Sequence, residues 1–126
     1  MSKTALLADD EPWIVELLSE VLKPMGYDSV LFHSSASSLM ALQEAKKPFD
    51  LVITDVNMGD GADGVLVALE SKKIFPNTPV IVMSGFDLNK AFSALENRVA
   101  YLQKPFEVST LMALVKAATA RVAMTA

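Results

Sequence analysis

Five short apolar runs, each leading into a polar residue, limit what this chain can fold into. They read "TALLAD" (4–9), "DSVLFH" (28–33), "DLVITD" (50–55), "PVIVMS" (79–84) and "AYLQK" (100–104). Most are near-continuous rather than alternating, as strands buried on both faces are. Segments of helical period lie between them. Ile14, Leu17, Leu18, Val21 and Leu22 form one stripe within 12–23; Pro12 suits the first turn and "KPMG" at 23–26 stops the helix. Ala36, Leu39, Met40 and Leu42 are the inward set of 35–46, and Val65, Leu66, Leu69 and Ile74 that of 64–74. Residues 87–96 give a shorter pattern with Ala91, Phe92 and Leu95, and 107–122 give Leu111, Leu114, Val115, Ala118 and Val122. The order is a strand–helix unit repeated five times. Right-handed crossovers turn it into an α/β fold, a doubly wound five-stranded parallel sheet with helices on both faces. Sites in such sheets form at the carboxyl ends of the strands.

The ends of these strands are polar on one edge. The first run ends in Asp9 and Asp10, the third in Asp55, the fourth in Ser84 and the fifth in Lys104. One aspartate after a strand is ordinarily a turn former or helix N-cap, and Asp10 or Glu11 alone would be read that way. Capping does not explain two adjacent acids, a third acid, a hydroxyl and a lysine together. Clustered carboxylates repel, so a compensating charge is expected. A hard divalent cation such as Mg²⁺ prefers such oxygens, and a lysine supplies a point charge for phosphate. The set describes a site for a phosphoryl group beside Mg²⁺. Asp55, at the end of the central strand, is the candidate nucleophile, because a carboxylate accepts a phosphoryl group covalently.

Composition excludes other classes. With 126 residues, 52% of them apolar, the chain can bury one sizeable core. It has no cysteine, so disulfides and thiolate metal sites are excluded. A reducing, cytoplasmic location is expected. No apolar run approaches the roughly 20 residues that span a bilayer, and the N-terminus is not a signal peptide. The net charge of −4 argues against direct nucleic-acid binding.

The stretches "LLADDEP", "LVITDVNMG", "VIVMSGF" and "YLQKPF", in that order, resemble the receiver domains of two-component response regulators. The resemblance spans roughly 3–122. It implies a (βα)5 flavodoxin-like fold like that of chemotaxis regulators, strand order 2-1-3-4-5, in a single receiver domain over 1–126. It implies that Asp55 is the phospho-acceptor. Asp9, Asp10 and Asp55, with the backbone carbonyl of Asn57, would hold Mg²⁺, for which Mn²⁺ could substitute. Ser84 would swing toward the phosphoryl group, Lys104 would be its cationic partner, and Tyr101 would change rotamer on activation. The Lys104–Pro105 bond is expected to be cis. The donor would be a histidine kinase or histidine phosphotransfer protein docking on the first helix, with Pro12 and Trp13 as candidate contacts. Output would pass to a protein partner or an attached domain. A homodimer would use the face of segment 87–96, the fifth strand and the last helix. Beyond assisting its own phosphorylation and dephosphorylation, the chain is not expected to be an enzyme. A receiver detached from a hybrid sensor kinase or multidomain regulator is the alternative, although the strand starting at once after Met1 favours an N-terminal position.

The sequence also departs from the family pattern. Gly59 stands where proline usually follows the methionine, and the loop before Gly64 is one residue longer. The segment from Ser84 to Lys104 is about two residues shorter, and "ENRVAY" lacks the usual Gly-Ala turn.

Rival readings fail on spacing. "DVNMGDGADG" (55–64) has the look of a calcium loop, but counting from Asp55 an EF-hand needs an oxygen ligand at Gly59, glycine at Asp60 and glutamate at Leu66. A nucleotide carrier of the same fold wants a Ser/Thr/Gly-rich cradle where "DDEP" stands. An aspartate-nucleophile phosphatase would put an acid where Asn57 is and its metal-binding acids late in the chain. A degenerate receiver, serving only as a protein-binding module, would lack the complete set of Asp9, Asp10, Asp55, Ser84 and Lys104. The expected helix cap after Asp55 is Asp63, with Asp60 solvated. His33, the only histidine, reads as a surface-turn residue. Met112, Ala113, Ala117, Ala120 and Met124 lie off the buried stripe of the last helix.

Overall fold

The apolar runs pair side by side, as strands with no polar face must. The computed structural model describes residues 2–59, 64–85, 95 and 98–125, with side chains up to 120. The strands are β1 (Lys3–Ala8), β2 (Tyr27–Phe32), β3 (Leu51–Asp55), β4 (Val80–Ser84) and β5 (Ala100–Gln103). They form one parallel sheet in the order β2-β1-β3-β4-β5, as the resemblance implied. Every residue of β3 and β4 is buried. The helices are α1 (Pro12–Leu22), α2 (Ser35–Glu44), α3 (Gly64–Ile74) and α4 (Val108–Thr125). A 3₁₀ turn at Lys23–Met25 follows α1 and ends at Gly26, whose φ of 97° suits glycine.

Alternation along the strands sorts the core into two layers. Ala5, Leu7, Ile53, Ile81, Met83 and Leu102 meet Ile14, Val15, Leu18 and Leu22 of α1 and Leu111 and Val115 of α4. On the other face Leu6, Ala8, Val52, Val80 and Val82 meet Leu42 of α2 and Val65, Val67 and Ala68 of α3. Leu95, in the segment 87–96, is buried in this second layer; the rest of that segment except Leu95 lies outside the described residues, as do Asp60 and Asp63.

Two helical faces differ from the expected ones. In α2 the buried residues are Ser35, Ser38 and Leu42, while Ala36 is exposed and Met40 is 58% exposed. In α3 they are Gly64, Val65, Val67, Ala68 and Ser71, and Leu66 is turned out at 48% exposure. In α2 the physical reason is small polar packing. The Ser38 hydroxyl donates to the Ser34 carbonyl at 2.8 Å, which satisfies it within the helix and lets it face the sheet. Counting only apolar residues rotated both faces. For α1, Ile14, Leu18 and Leu22 of the expected stripe are buried together with Val15, while Leu17 and Val21 are half-buried. His33 is exposed, as a surface-turn residue should be.

Candidate phosphoryl and metal site

The reversal of strand order lies between β1 and β3, because β1 leads to β2 on one side while β3 lies on the other. Ligand crevices of open α/β sheets form at such a point. Asp9 follows β1 there and Asp55 ends β3. An open cleft of about 420 Å³ is lined by Asp10, Glu11, Asp55, Val56, Asn57, Ser84, Gly85 and Lys104.

Each side chain is set by its element. Asp9 is fully buried and accepts a hydrogen bond from the backbone N–H of Glu11 at 2.9 Å, at the start of α1. Glu11 itself makes no side-chain cap. Asp55 is 6% exposed, and its carboxylate accepts the Asn57 N–H at 3.4 Å. The Val56 N–H donates to the Met83 carbonyl at 2.9 Å, continuing the β3–β4 pairing past Asp55. Ser84 is 2% exposed at the end of β4. Its carbonyl accepts the Lys104 N–H at 2.8 Å, which fixes where the lysine leaves β5. The Lys104–Pro105 peptide is cis. Tyr101, half-buried on β5, packs against the second core layer.

Lys104 crosses the cleft. Its ammonium donates to Asp9 Oδ2 at 2.7 Å and Asp55 Oδ2 at 3.1 Å. Burial works against its charge, but the hydrogen bond to Asp9 and the charges of Asp55 and Asp9 outweigh that and raise its pKa. Burial pushes Asp9 the other way for an acid, up from 3.8 to about 6. The Lys104 bond and the Glu11 N–H pull it back only in part, and the Asp55 charge adds to the rise. Nothing in the sequence signals this pairing, which joins residues 95 apart along the chain.

Asp9, Asp10 and Asp55 place one carboxylate oxygen each within 4.8 Å of one another. Among the described residues Lys104 is the cation paired with Asp9 and Asp55, so three clustered carboxylates have one ammonium beside them. That imbalance, an all-oxygen donor set and a buried acid costly to ionise fit a hard divalent cation.

Two glycines shape the loop after Asp55. Gly59 sits at φ 72°, which proline cannot adopt, so the residue usual in the family is excluded by this backbone. Gly64 opens α3 against the end of β3. Its N–H donates to the Val56 carbonyl at 2.8 Å, and a Cβ there would lie 1.6 Å from the Asp55 carbonyl oxygen. The sequence carried no sign of that approach beyond the glycine itself.

A second, mostly apolar groove of about 600 Å³ adjoins the cleft, lined by Glu11, Trp13, Ile14, Leu17, Gly85, Gln103, Lys104, Pro105 and Phe106. Trp13 is 63% exposed on its rim. Pro12, at the first turn of α1, is exposed beside it.

Known proteins resemble this chain in sequence and fold. The response regulator receiver domain profile matches residues 5–116. The response regulator protein FleR of Pseudomonas aeruginosa is 35% identical over 117 residues, covering 91% of this chain and 24% of FleR. The transcriptional regulatory protein PdtaR of Mycobacterium tuberculosis is 34% identical over 123 residues, covering 94% of this chain and 58% of PdtaR. The chain thus spans 24% to 58% of the length of these two relatives. Among solved structures, a response regulator receiver protein from Sinorhizobium medicae matches with a TM-score of 0.88 at 27% identity, covering 96% of this chain and 97% of that one. A receiver domain protein from Clostridium thermocellum matches at 0.86 and 29% identity, covering 98% and 99%.

Proposed function

Since the chain belongs to the response regulator receiver domain family of two-component signalling, we propose that Asp55 is its phospho-acceptor. The observation that supports this is the Lys104 bridge: the ammonium reaches the Asp55 carboxylate at 3.1 Å in a cleft also lined by Ser84. A phosphohistidine is the donor. An Asp55 carboxylate oxygen attacks phosphorus, the O–P bond forms, the P–N bond breaks, and the imidazole leaves with the electron pair and takes a proton. Lys104 then moves its charge from the carboxylates to the phosphoryl oxygens, and Ser84 donates its hydroxyl to another.

Asp9, Asp10, Asp55 and the Asn57 carbonyl are the residues to hold Mg²⁺, or Mn²⁺ in its place. The ion supplies charge neutralisation for the transferring group. Tyr101 follows Ser84, shifting the population of the surface around β5. The chain serves as an acceptor, not as an enzyme acting on separate substrates. A histidine kinase or phosphotransfer protein docks on Pro12, Trp13 and the apolar groove. Output passes to a partner protein or to further domains, consistent with the share of FleR that this chain matches. Residues 1–126 act as one receiver unit in the cytoplasm; among the described residues no helix is long and apolar enough to cross a membrane.

The test is Mg²⁺-dependent labelling by acetyl phosphate of wild type and Asp55→Ala. Wild type takes up about one base-labile phosphoryl group per chain and the variant none. Equal labelling of both would overturn the assignment.

A further inference from the structure

The acids of the cleft are not held equally. Asp9 is fixed by Lys104 at 2.7 Å and by the Glu11 N–H at 2.9 Å. Asp10 is exposed, and its carboxylate stands against the backbone of Gly59. A Cβ on Gly59 would lie 3.2 Å from Asp10 Oδ2, tighter than ordinary carbon–oxygen contact. The backbone there has φ 72°, a region that L side chains adopt with difficulty. Met58, the residue before it, is 2% exposed, so the chain entering Gly59 is anchored in the core. A side chain at 59 therefore meets Asp10 with little freedom to withdraw, whereas the exposed Asp10 carboxylate can swing away toward water. A shift of a few tenths of an ångström, the size this contact demands, changes how Asp10 presents its oxygen to the group whose ligand atoms lie within 4.8 Å of one another.

We infer that Gly59 is a positioning residue for the metal site: its lack of a side chain keeps open the place from which Asp10 joins Asp9 and Asp55 around a divalent cation. The inference rests on reading that trio as the Mg²⁺ site. It assigns Gly59 two separable roles, a left-handed turn and an empty space. Asparagine tolerates the left-handed backbone better than alanine does, yet brings the same Cβ.

The experiment is calorimetric titration of the full chain with Mg²⁺ for wild type, Gly59→Ala, Gly59→Asn, Asp10→Ala and the double variant Asp10→Ala/Gly59→Ala. Metal-free melting of each shows that it folds, and Gly59→Asn keeps the test intact if alanine prevents folding. Both Gly59 variants bind Mg²⁺ roughly tenfold more weakly than wild type, the scale of a disturbed ligand support. In the Asp10→Ala background, Gly59→Ala causes no further loss, because the group it would push is gone. Wild-type affinity in Gly59→Asn, or an equal loss with and without Asp10, would show that the empty space does not matter and overturn the inference. No Mg²⁺ binding by wild type itself would overturn the metal site, and this inference with it.

Discussion

Replacing Asp9 by asparagine stabilises the metal-free protein at neutral pH and, on the proposed assignment, abolishes its Mg²⁺ binding. The Asp9 carboxyl titrates near 3.8 when exposed and near 6 in the fold. The folded state therefore holds the proton more tightly than the unfolded chain does. The resulting penalty is absent below about pH 3.8, grows as pH rises toward about 6, and is complete above that. At about 1.4 kcal/mol per unit, ionised Asp9 costs the fold about 3 kcal/mol at pH 7. The attraction of Lys104 is already contained in that figure, and in the variant Lys104 keeps Asp55 at 3.1 Å. Asparagine has the same shape without the charge, so Asp9→Asn gains about 2–3 kcal/mol, or roughly 6–12 °C in melting temperature for a domain of this size. The assay is thermal melting in a chelator from pH 4 to pH 8. The two proteins converge at the acid end and diverge through the window from 3.8 to about 6. Saturating Mg²⁺ raises the wild type and leaves the variant unmoved. A variant no more stable than wild type at pH 7, or two parallel pH profiles, would refute the reasoning.

Other substitutions probe the same frame. Gly64→Ala places a Cβ 1.6 Å from the Asp55 carbonyl oxygen, so β3 or α3 must shift. The cost is about 1–3 kcal/mol of overpacking, read as a lower melting temperature together with slower acetyl phosphate labelling; normal melting and labelling would contradict the close approach. Lys104→Met removes the cation between Asp9 and Asp55, so metal-free stability at pH 7 drops by about 1–3 kcal/mol and the part owed to Asp9 is recovered at pH 5, where Asp9 is protonated; a loss independent of pH would count against the Asp9 half of the bridge. Trp13→Ala lowers phosphoryl transfer from a phosphohistidine protein by roughly tenfold, with melting and acetyl phosphate labelling near wild type; equal loss from both donors would refute docking at the groove.

The strands were legible because burial on both faces leaves no polar alternation, and the polar ends stood out against those apolar runs. Asp9, Asp10, Asp55, Ser84 and Lys104 could therefore be placed on one edge from topology alone. The outward Met40 and Leu66 and the buried Ser35, Ser38 and Ser71 were not legible. Hydrophobic periodicity has no way to record a hydroxyl that satisfies itself on its own helix, as Ser38 does. Which acid takes the lysine was equally hidden. That depends on side chains meeting across the cleft, and sequence separation says nothing about it. Gly59 was visible as a departure, but the nearness of the Asp10 carboxylate to it was not.

Lys104, Glu11 and Gly85 border both the acidic cleft and the apolar groove beside Trp13. Lys104 thus lies on the border between the groove proposed for donor docking and the cleft that holds Asp55. A donor protein docked in that groove would sit against Lys104 beside the cleft, which would link its arrival to the residue that bridges Asp9 and Asp55. A small donor diffusing into the cleft receives no such help. Fidelity toward a partner can then reside in timing as well as in affinity, because a poorly seated protein leaves the lysine free to remain on the acids.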